Sequence, residues 1–496
     1  MWDDLDKLGP IISMGGVATL ILMWGFLPRG LLPSPRKTAL LVVVLAGPAL
    51  SAAWSLSLLT RDERGFAFAN SMVLDDFSYF FLFLFAGISA AIIFSSQDYG
   101  KRFQERQPEY YALLLFASGA MMLLASSRDL ILIYIALELS SISQYIMAAL
   151  QRDARSSEAG IKYLLLGAVA SAVILYGMAF LFGMTGTTRL VAPEGQPSIA
   201  SVIGERGEDL RAGLVLSAVF LIAGFGFKMA VVPFQMWVPD VYEGSPAPVA
   251  AFLSVASKAA GFAAIMRIFF EGLTDASISN DWADIFAIVA AISMTAGNVL
   301  ALVQTNIKRL LGYSSIAQAG NFMVGLAAIS AAGGISFGAS GVLFFLGAYA
   351  LTNLGAFIVV IAISDRTGSD LIADYGGMWQ RAPALAFALT LALVSLTGIP
   401  PTVGFVAKVY IFNAAVQSDL IWLVVIAVLN SVISAFYYLR IAGSMFLAEP
   451  KTTEGIATSY SLKLALSVAV AGILFFGIVP SPLLDVARDA AAVFTQ

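Results

Sequence analysis

Apolar runs long enough to cross roughly 30 Å of hydrocarbon begin near residues 11, 38, 73, 109, 129, 159, 211, 246, 282, 309, 338, 383, 420 and 461. They predict an all-α polytopic membrane protein of about fourteen transmembrane helices. Polar and helix-stopping pieces separate the runs, among them PRGLLPSPRK at 28 to 37 and QDYGKRFQERQPE at 97 to 109,. The longest link is expected at about 185 to 211, where Gly, Pro and both charge signs mix, so no extramembrane domain has room.

Composition turns this pattern into an exclusion. The chain is 59% hydrophobic and 12% charged, whereas soluble domains carry roughly 25% charged residues. The opening MWDDLDKLGP is acidic where a secretory signal is basic, so the first run reads as a retained span,. Sorting basic residues by side puts fifteen on one side, including Arg102, Arg152, Lys308 and Arg440, and nine on the side of both termini, including Arg61, Arg128, Arg267 and Arg488. That bias orients both termini to the periplasmic side of a bacterial inner (plasma) membrane. A net charge of −4 gives no sign of nucleic-acid binding,. The absence of Cys and His removes disulfides, thiolate-held clusters and the commonest haem and zinc ligands,. No phosphate-binding loop followed by Lys and Ser or Thr occurs, which argues against direct ATP use,.

Against this apolar background, Lys162, Lys228, Lys258, Lys408 and Glu138 stand inside spans. Each costs roughly 2.5 to 3.5 kcal/mol at bilayer depth, so each needs a partner or a task. Desolvation lowers the pKa of a lysine and a nearby carboxylate raises it, so a movable Glu and Lys pair makes a proton valve without histidine. Tyr134, Ser141 and Tyr145 share the face of Glu138, which should turn inward,. Gly224, Ser254 and Gly261 lie one turn from Lys228 and Lys258 and admit close neighbours,. Static ion pairing is the bland alternative for these groups, and snorkelling to the interface competes strongly for Lys162. Lys308 and Arg309 fit the positive-inside rule, and Asp75 and Asp76 read as interfacial.

An internal repeat organises the chain. LELSSISQ around Glu138 matches LGYSSIAQ, with Leu137 and Leu311 174 residues apart, and GFGFK matches GFVAK, with Lys228 and Lys408 180 apart. A shift of five spans inverts the second copy, an arrangement found in transporters with mid-membrane sites. The expected organisation is residues 1–108 (helices 1–3), 109–271 (first five-helix repeat), 282–447 (second, inverted) and 448–496 (helix 14). Pro233 follows Lys228 and Pro400 and Pro401 precede Lys408. Helices 7 and 12 are therefore expected to be broken, with freed carbonyls tolerable only beside protein or water.

The segments SSRDLILIYIALELSSISQY, AGFGFKMAVVPFQMWVPDVYEGSP, SVASKAAGF, QTNIKRLLGYSSIAQAG, ALTNLGAF and TGIPPTVGFVAKVYIF resemble the antiporter-like membrane subunits of respiratory complex I, the bacterial NADH-quinone oxidoreductase, over essentially the whole chain. The resemblance implies that Glu138 and Lys228 form an input pair, Lys258 continues the axis and Lys408 is the exit-side lysine of a proton pathway, with Lys162 the doubtful member. It implies no cofactor on this chain, with flavin, iron–sulfur clusters and quinone on partner subunits. Other membrane-arm subunits, the lipid bilayer, protons and internal water are the implied partners. AYALTNLGAF lacks the histidine of the sister subunits in the eleventh span, and Lys replaces Glu at 408. The related multisubunit cation/proton antiporter would share the broken helices and lysines.

Overall fold

A computed structural model describes residues 2–26, 36–99, 102–103, 106–193, 195–328, 334–452 and 454–495. Arg29 and Lys101 of the orientation count, and most of the turn expected at 28 to 37, lie outside the described residues.

The chain is a bundle of helices: α1 (Trp2–Lys7), α2 (Gly9–Phe26), α3 (Arg36–Thr60), α4 (Asp76–Ser96), α5 (Gln107–Ala125), α6 (Leu130–Ala148), α7 (Ala154–Thr185), α8 (Ile199–Met229) and α9 (Trp237–Gly244). There follow α10 (Ala247–Gly272), which contains two π-helical stretches, then α11 (Ala276–Leu302), α12 (Ile307–Ala327) and α13 (Gly334–Thr367). The last are α14 (Met378–Arg381), α15 (Pro383–Thr397), α16 (Val403–Gln417), α17 (Ile421–Leu447), α18 (Tyr460–Ile478) and α19 (Ser481–Ala491). Among the described residues, eleven helices are long and apolar enough to cross a membrane, and α2, α15 and α16 are shorter apolar helices.

Local sequence explains the starts. Asp75, Asp129, Asp153 and Asn306 each accept a backbone N–H in the first turn of α4, α6, α7 and α12, which satisfies donors that have no intrahelical partner. Ser198 and Ser201 form a reciprocal cap on α8. That cap corrects one expectation. The link at 185 to 211 shrinks to residues 186–198, because Glu205, Arg206, Glu208 and Asp209 ride on the first turns of α8. The longest described connection is instead 61–75, an antiparallel ribbon of β1 (Gly65–Ala67) and β2 (Met72–Leu74) that the apolar pattern did not reveal.

The ribbon marks one end of the bundle. Bridges from Met72 to Ser127 and from Asp129 to Arg189 gather three links there, while a bridge from Asn306 to Leu371 marks the opposite end. At that opposite end Lys451 and Ser369 donate to Asp374 at 2.6 and 2.5 Å and hold its carboxyl below the usual range.

Every residue of α10 is buried, as is almost all of α12. These are the centre of the bundle, and α12 can be so polar for a long helix because almost all of it is enclosed by other helices,. Outer helices keep apolar stripes, such as Ile131, Ile135, Leu139, Ile142 and Ile146 on α6. The expected boundaries 109 and 271 fall at the start of α5 and the end of α10, but 282 falls inside α11.

Candidate functional site

The helical ladder stops at Met229. Ala230 takes a left-handed φ of 61°, the Val232–Pro233 peptide is cis, and helix resumes at Trp237. Carbonyls at the stop must find other donors, because Pro233 has no N–H to offer. Trp237 Nε1 donates to Phe227 O at 3.0 Å, and Lys258 Nζ donates to Met229 O at 3.2 Å and to Ser315 O of α12 at 2.5 Å. Lys228, in the last turn of α8, is also buried, yet its ammonium has no hydrogen-bond partner among the described residues. It faces the rings of Tyr145 and Tyr163 at 5.6 and 5.9 Å, a cation–π environment,. Tyr163 in turn stacks on Trp237 at 4.4 Å and donates to Gln144 Oε1 at 2.8 Å. Gly261 lets α10 press against this site, since a Cβ there would lie 3.3 Å from Lys228 Cβ.

A second interruption follows the same logic. After α15 ends at Thr397, Gly398 adopts a φ of +90°, the Pro400–Pro401 peptide is cis, and α16 starts at Val403. Lys408 Nζ donates to Thr397 O at 2.8 Å and to Ser431 Oγ at 3.2 Å, while Gln318 Nε2 of α12 donates to Leu396 O at 2.9 Å. A Cβ on residue 398 would sit 2.8 Å from Lys408 Cδ. The matched elements differ in one respect: GFGFK precedes its interruption and GFVAK follows it.

The remaining expected residues fall elsewhere. Glu138 is half-buried on α6 and accepts a hydrogen bond from Ser171 of α7, but among the described residues no ammonium lies within 4.0 Å of it, so it does not pair directly with Lys228. Ser141 and Tyr145 of its stripe are buried, whereas Glu138 and Tyr134 are not fully so. Lys162 is 41% exposed at the end away from the ribbon, paired with Glu158 at 2.7 Å and Asp240 at 2.8 Å. Arg309 joins the same cleft through Asp240 at 2.7 Å and Glu243 at 3.0 Å. Lys308, expected to follow the positive-inside rule, is buried, donating to Ser245 O at 2.9 Å and pairing with Asp370 at 3.0 Å.

A buried quartet near the ribbon escaped the sequence reading. Arg267 is fully buried and holds Asp75 with both terminal nitrogens, at 2.7 and 2.8 Å, while bonding Glu271, Ala125 O at 3.1 Å and Ser78 Oγ at 3.0 Å. Arg128 closes the set on Glu271 at 2.7 Å and Asp75 at 3.3 Å. Asp75 is therefore a core anion rather than an interfacial one, since two guanidiniums from distant segments neutralise it and Glu271 together. The available signal was Arg267 and Glu271 at i and i+4 within the apolar MRIFFEG,.

A family profile described as NADH:quinone oxidoreductase/Mrp antiporter, TM, matches residues 127–434, which includes both interruptions. NADH-quinone oxidoreductase subunit N of Dehalococcoides mccartyi is 46% identical over 86% of this chain and 87% of its own, and that of Moorella thermoacetica is 40% identical over 96% and 97%. The chain belongs to the subunit N family. It is thus an antiporter-like membrane-arm subunit of NADH-quinone oxidoreductase, respiratory complex I. A chain of respiratory complex I from Thermus thermophilus with bound aureothin agrees, with a TM-score of 0.78 at 31% identity over 96% of this chain and 98% of that one. A chain of the Mrp complex from Dietzia sp. superposes with a TM-score of 0.84 at 19% identity over 99% and 97%, which shows a shared fold only. Sequence identity, not shape, separates subunit N from the antiporters. Among its described residues no group of three His, Cys, Asp or Glu side chains is placed to hold a metal ion.

Proposed function

We propose that this subunit moves protons from the cytoplasm to the periplasm, with Glu138 and Lys228 as the input pair, Lys258 as the middle station and Lys408 at the outlet. The observation that carries the reading is the buried Lys228 ammonium, which has no hydrogen-bond partner among the described residues. A static ion pair needs a partner in reach; a group protonated and deprotonated in turn does not. Glu138 acts on it across the face of Tyr145, seven residues along α6, so a small shift of α6 against α8 changes their separation without passing through contact. Lys258 and Lys408 each grip a carbonyl at a helix stop, where irregular backbone at membrane depth favours internal water. Lys162 and its half-exposed cleft serve as the entrance to this path.

The frame behind this reading is fourteen spans, with α8 and α9 forming a broken seventh and α15 and α16 a broken twelfth. Two inverted five-helix units then cover 109–271 and 282–447. Support comes from the matched motifs on α6 and α12 and from the ordinal place of the two interruptions. The positive-inside bias supports periplasmic termini. Each charge moved against the membrane potential costs about 2.3 kcal/mol per 100 mV. Quinone reduction on partner subunits, which carry the flavin and iron–sulfur clusters, supplies that energy. The fold shared with the Mrp complex keeps a cation/proton antiporter as the second reading. Co-purification of flavin and iron–sulfur subunits with this chain distinguishes the two.

Lys228→Arg tests the proton role, because Arg keeps the charge but does not deprotonate. The complex should assemble while NADH-driven proton pumping is lost. Normal pumping would sink the proposal.

A further inference from the structure

A cavity of about 730 Å³ forms a groove between α5, α6 and α7 at the end away from the ribbon. It falls within the roughly 300 to 1,000 Å³ typical of small-molecule sites. Its walls are apolar, and Ile142, Ile146, Ile161 and Leu164 among them are exposed to the side, so the groove opens laterally. Its mouth is different. Arg106 and Arg152 stand there with Glu109, and neither guanidinium forms an ion pair among the described residues, although Arg106 donates to Leu150 O at 3.2 Å. Among the described residues, two guanidiniums without an ion pair thus stand over one carboxylate, which makes the mouth net positive.

We infer that this groove binds an anionic glycerophospholipid, with the phosphate held between Arg106 and Arg152 and an acyl chain lying along α6 and α7. A guanidinium matches phosphate oxygens in a two-pronged geometry, and the lateral opening admits a chain that remains in the bilayer. A purely apolar helix of another protein would fill the walls equally well but would leave both guanidiniums unmatched. The site also touches the proposed proton path. Tyr145 lines the inner wall of the groove and presents its ring to Lys228 at 5.6 Å, so an occupied groove fixes the packing of that ring.

The test uses the intact complex in mild detergent, with bound phospholipids counted by mass spectrometry. Arg106→Gln combined with Arg152→Gln, and separately Ile161→Trp, which fills the groove without touching the charges, should each lose one retained anionic lipid. After delipidation, phosphatidylglycerol should restore NADH:quinone activity in the double variant at a half-saturating concentration roughly 30-fold above wild type, the combined effect of two basic side chains near an anionic surface. Phosphatidylcholine should act on both alike. Unchanged anionic lipid content in both variants, an unchanged phosphatidylglycerol dependence, or a density map of the intact complex with a protein helix seated in the groove would each overturn the assignment.

Discussion

Lys258→Met separates a proton carrier from a structural cap, because its energetic terms nearly cancel. In the native chain the ammonium donates to Met229 O at 3.2 Å and Ser315 O at 2.5 Å while fully enclosed. Ser315 lies inside α12, whose own ladder supplies a donor one turn on,. Met229 O ends an interrupted helix and is the carbonyl left bare, at a cost of about 1 to 3 kcal/mol. Removing a charge from bilayer depth returns roughly 2.5 to 3.5 kcal/mol, and Met fills the same slender space. The net effect runs from a loss of about 0.5 to a gain of about 2.5 kcal/mol, too little to unfold a bundle. The variant should therefore appear at wild-type levels in assembled complex on native gels. Positioned acid–base groups contribute about 10² to 10⁴ in rate, so NADH-driven acidification of inverted vesicles should fall by about 100-fold or more. Full pumping would remove Lys258 from the path. Failure to assemble would show that capping Met229 matters more than this arithmetic allows.

Three other perturbations probe separate features. Arg267→Met leaves Asp75 and Glu271 sharing Arg128 alone and should cost about 3 to 5 kcal/mol, read as loss of the subunit from heated complex; undiminished thermal stability would mean that the quartet merely breaks even. Gly398→Ala forces a side chain into a left-handed turn, at about 1 to 3 kcal/mol, and pushes on Lys408 Cδ, so melting temperature and pumping should fall together, and a change in neither would contradict the close approach. Asp374, held below the usual carboxylate range by Lys451 and Ser369, contributes stability that is present above its unfolded value of about 3.9 and is lost as pH falls through the lower folded value. The melting difference between wild type and Asp374→Asn should thus be constant near neutrality and vanish in acid; a difference that grows in acid would reverse the sign.

How legible this was in the sequence depended on contrast. Lys228, Lys258 and Lys408 were conspicuous because an apolar run makes any ammonium an exception, and burial was the only arrangement open to them. Lys162 had the same sequence environment, but its position a few residues inside α7 let a flexible stem reach Asp240 and the surface, an outcome set by the tertiary position of α9. The quartet was hidden because Asp75, Arg128, Arg267 and Glu271 sit at span ends, where charges normally meet water, and Asp75 and Arg267 are 192 residues apart. The relation of Glu138 to Lys228 was only half readable: helical spacing put Glu138 and Tyr145 on one face, but not that the ammonium would rest on the ring rather than reach the carboxylate. The ribbon was missed because three-residue strands are too short for alternation to register.

One helix touches both interruptions. Ser315 of α12 receives Lys258 from the first, and Gln318, three residues on, reaches Leu396 O at the second. With a rise of about 1.5 Å per residue, these two contacts are separated by roughly 4.5 Å along a single stiff rod. The two breaks are therefore geared together: a slide or roll of α12 that loosens one grip must alter the other in the same stroke, although the lysines on either side never meet.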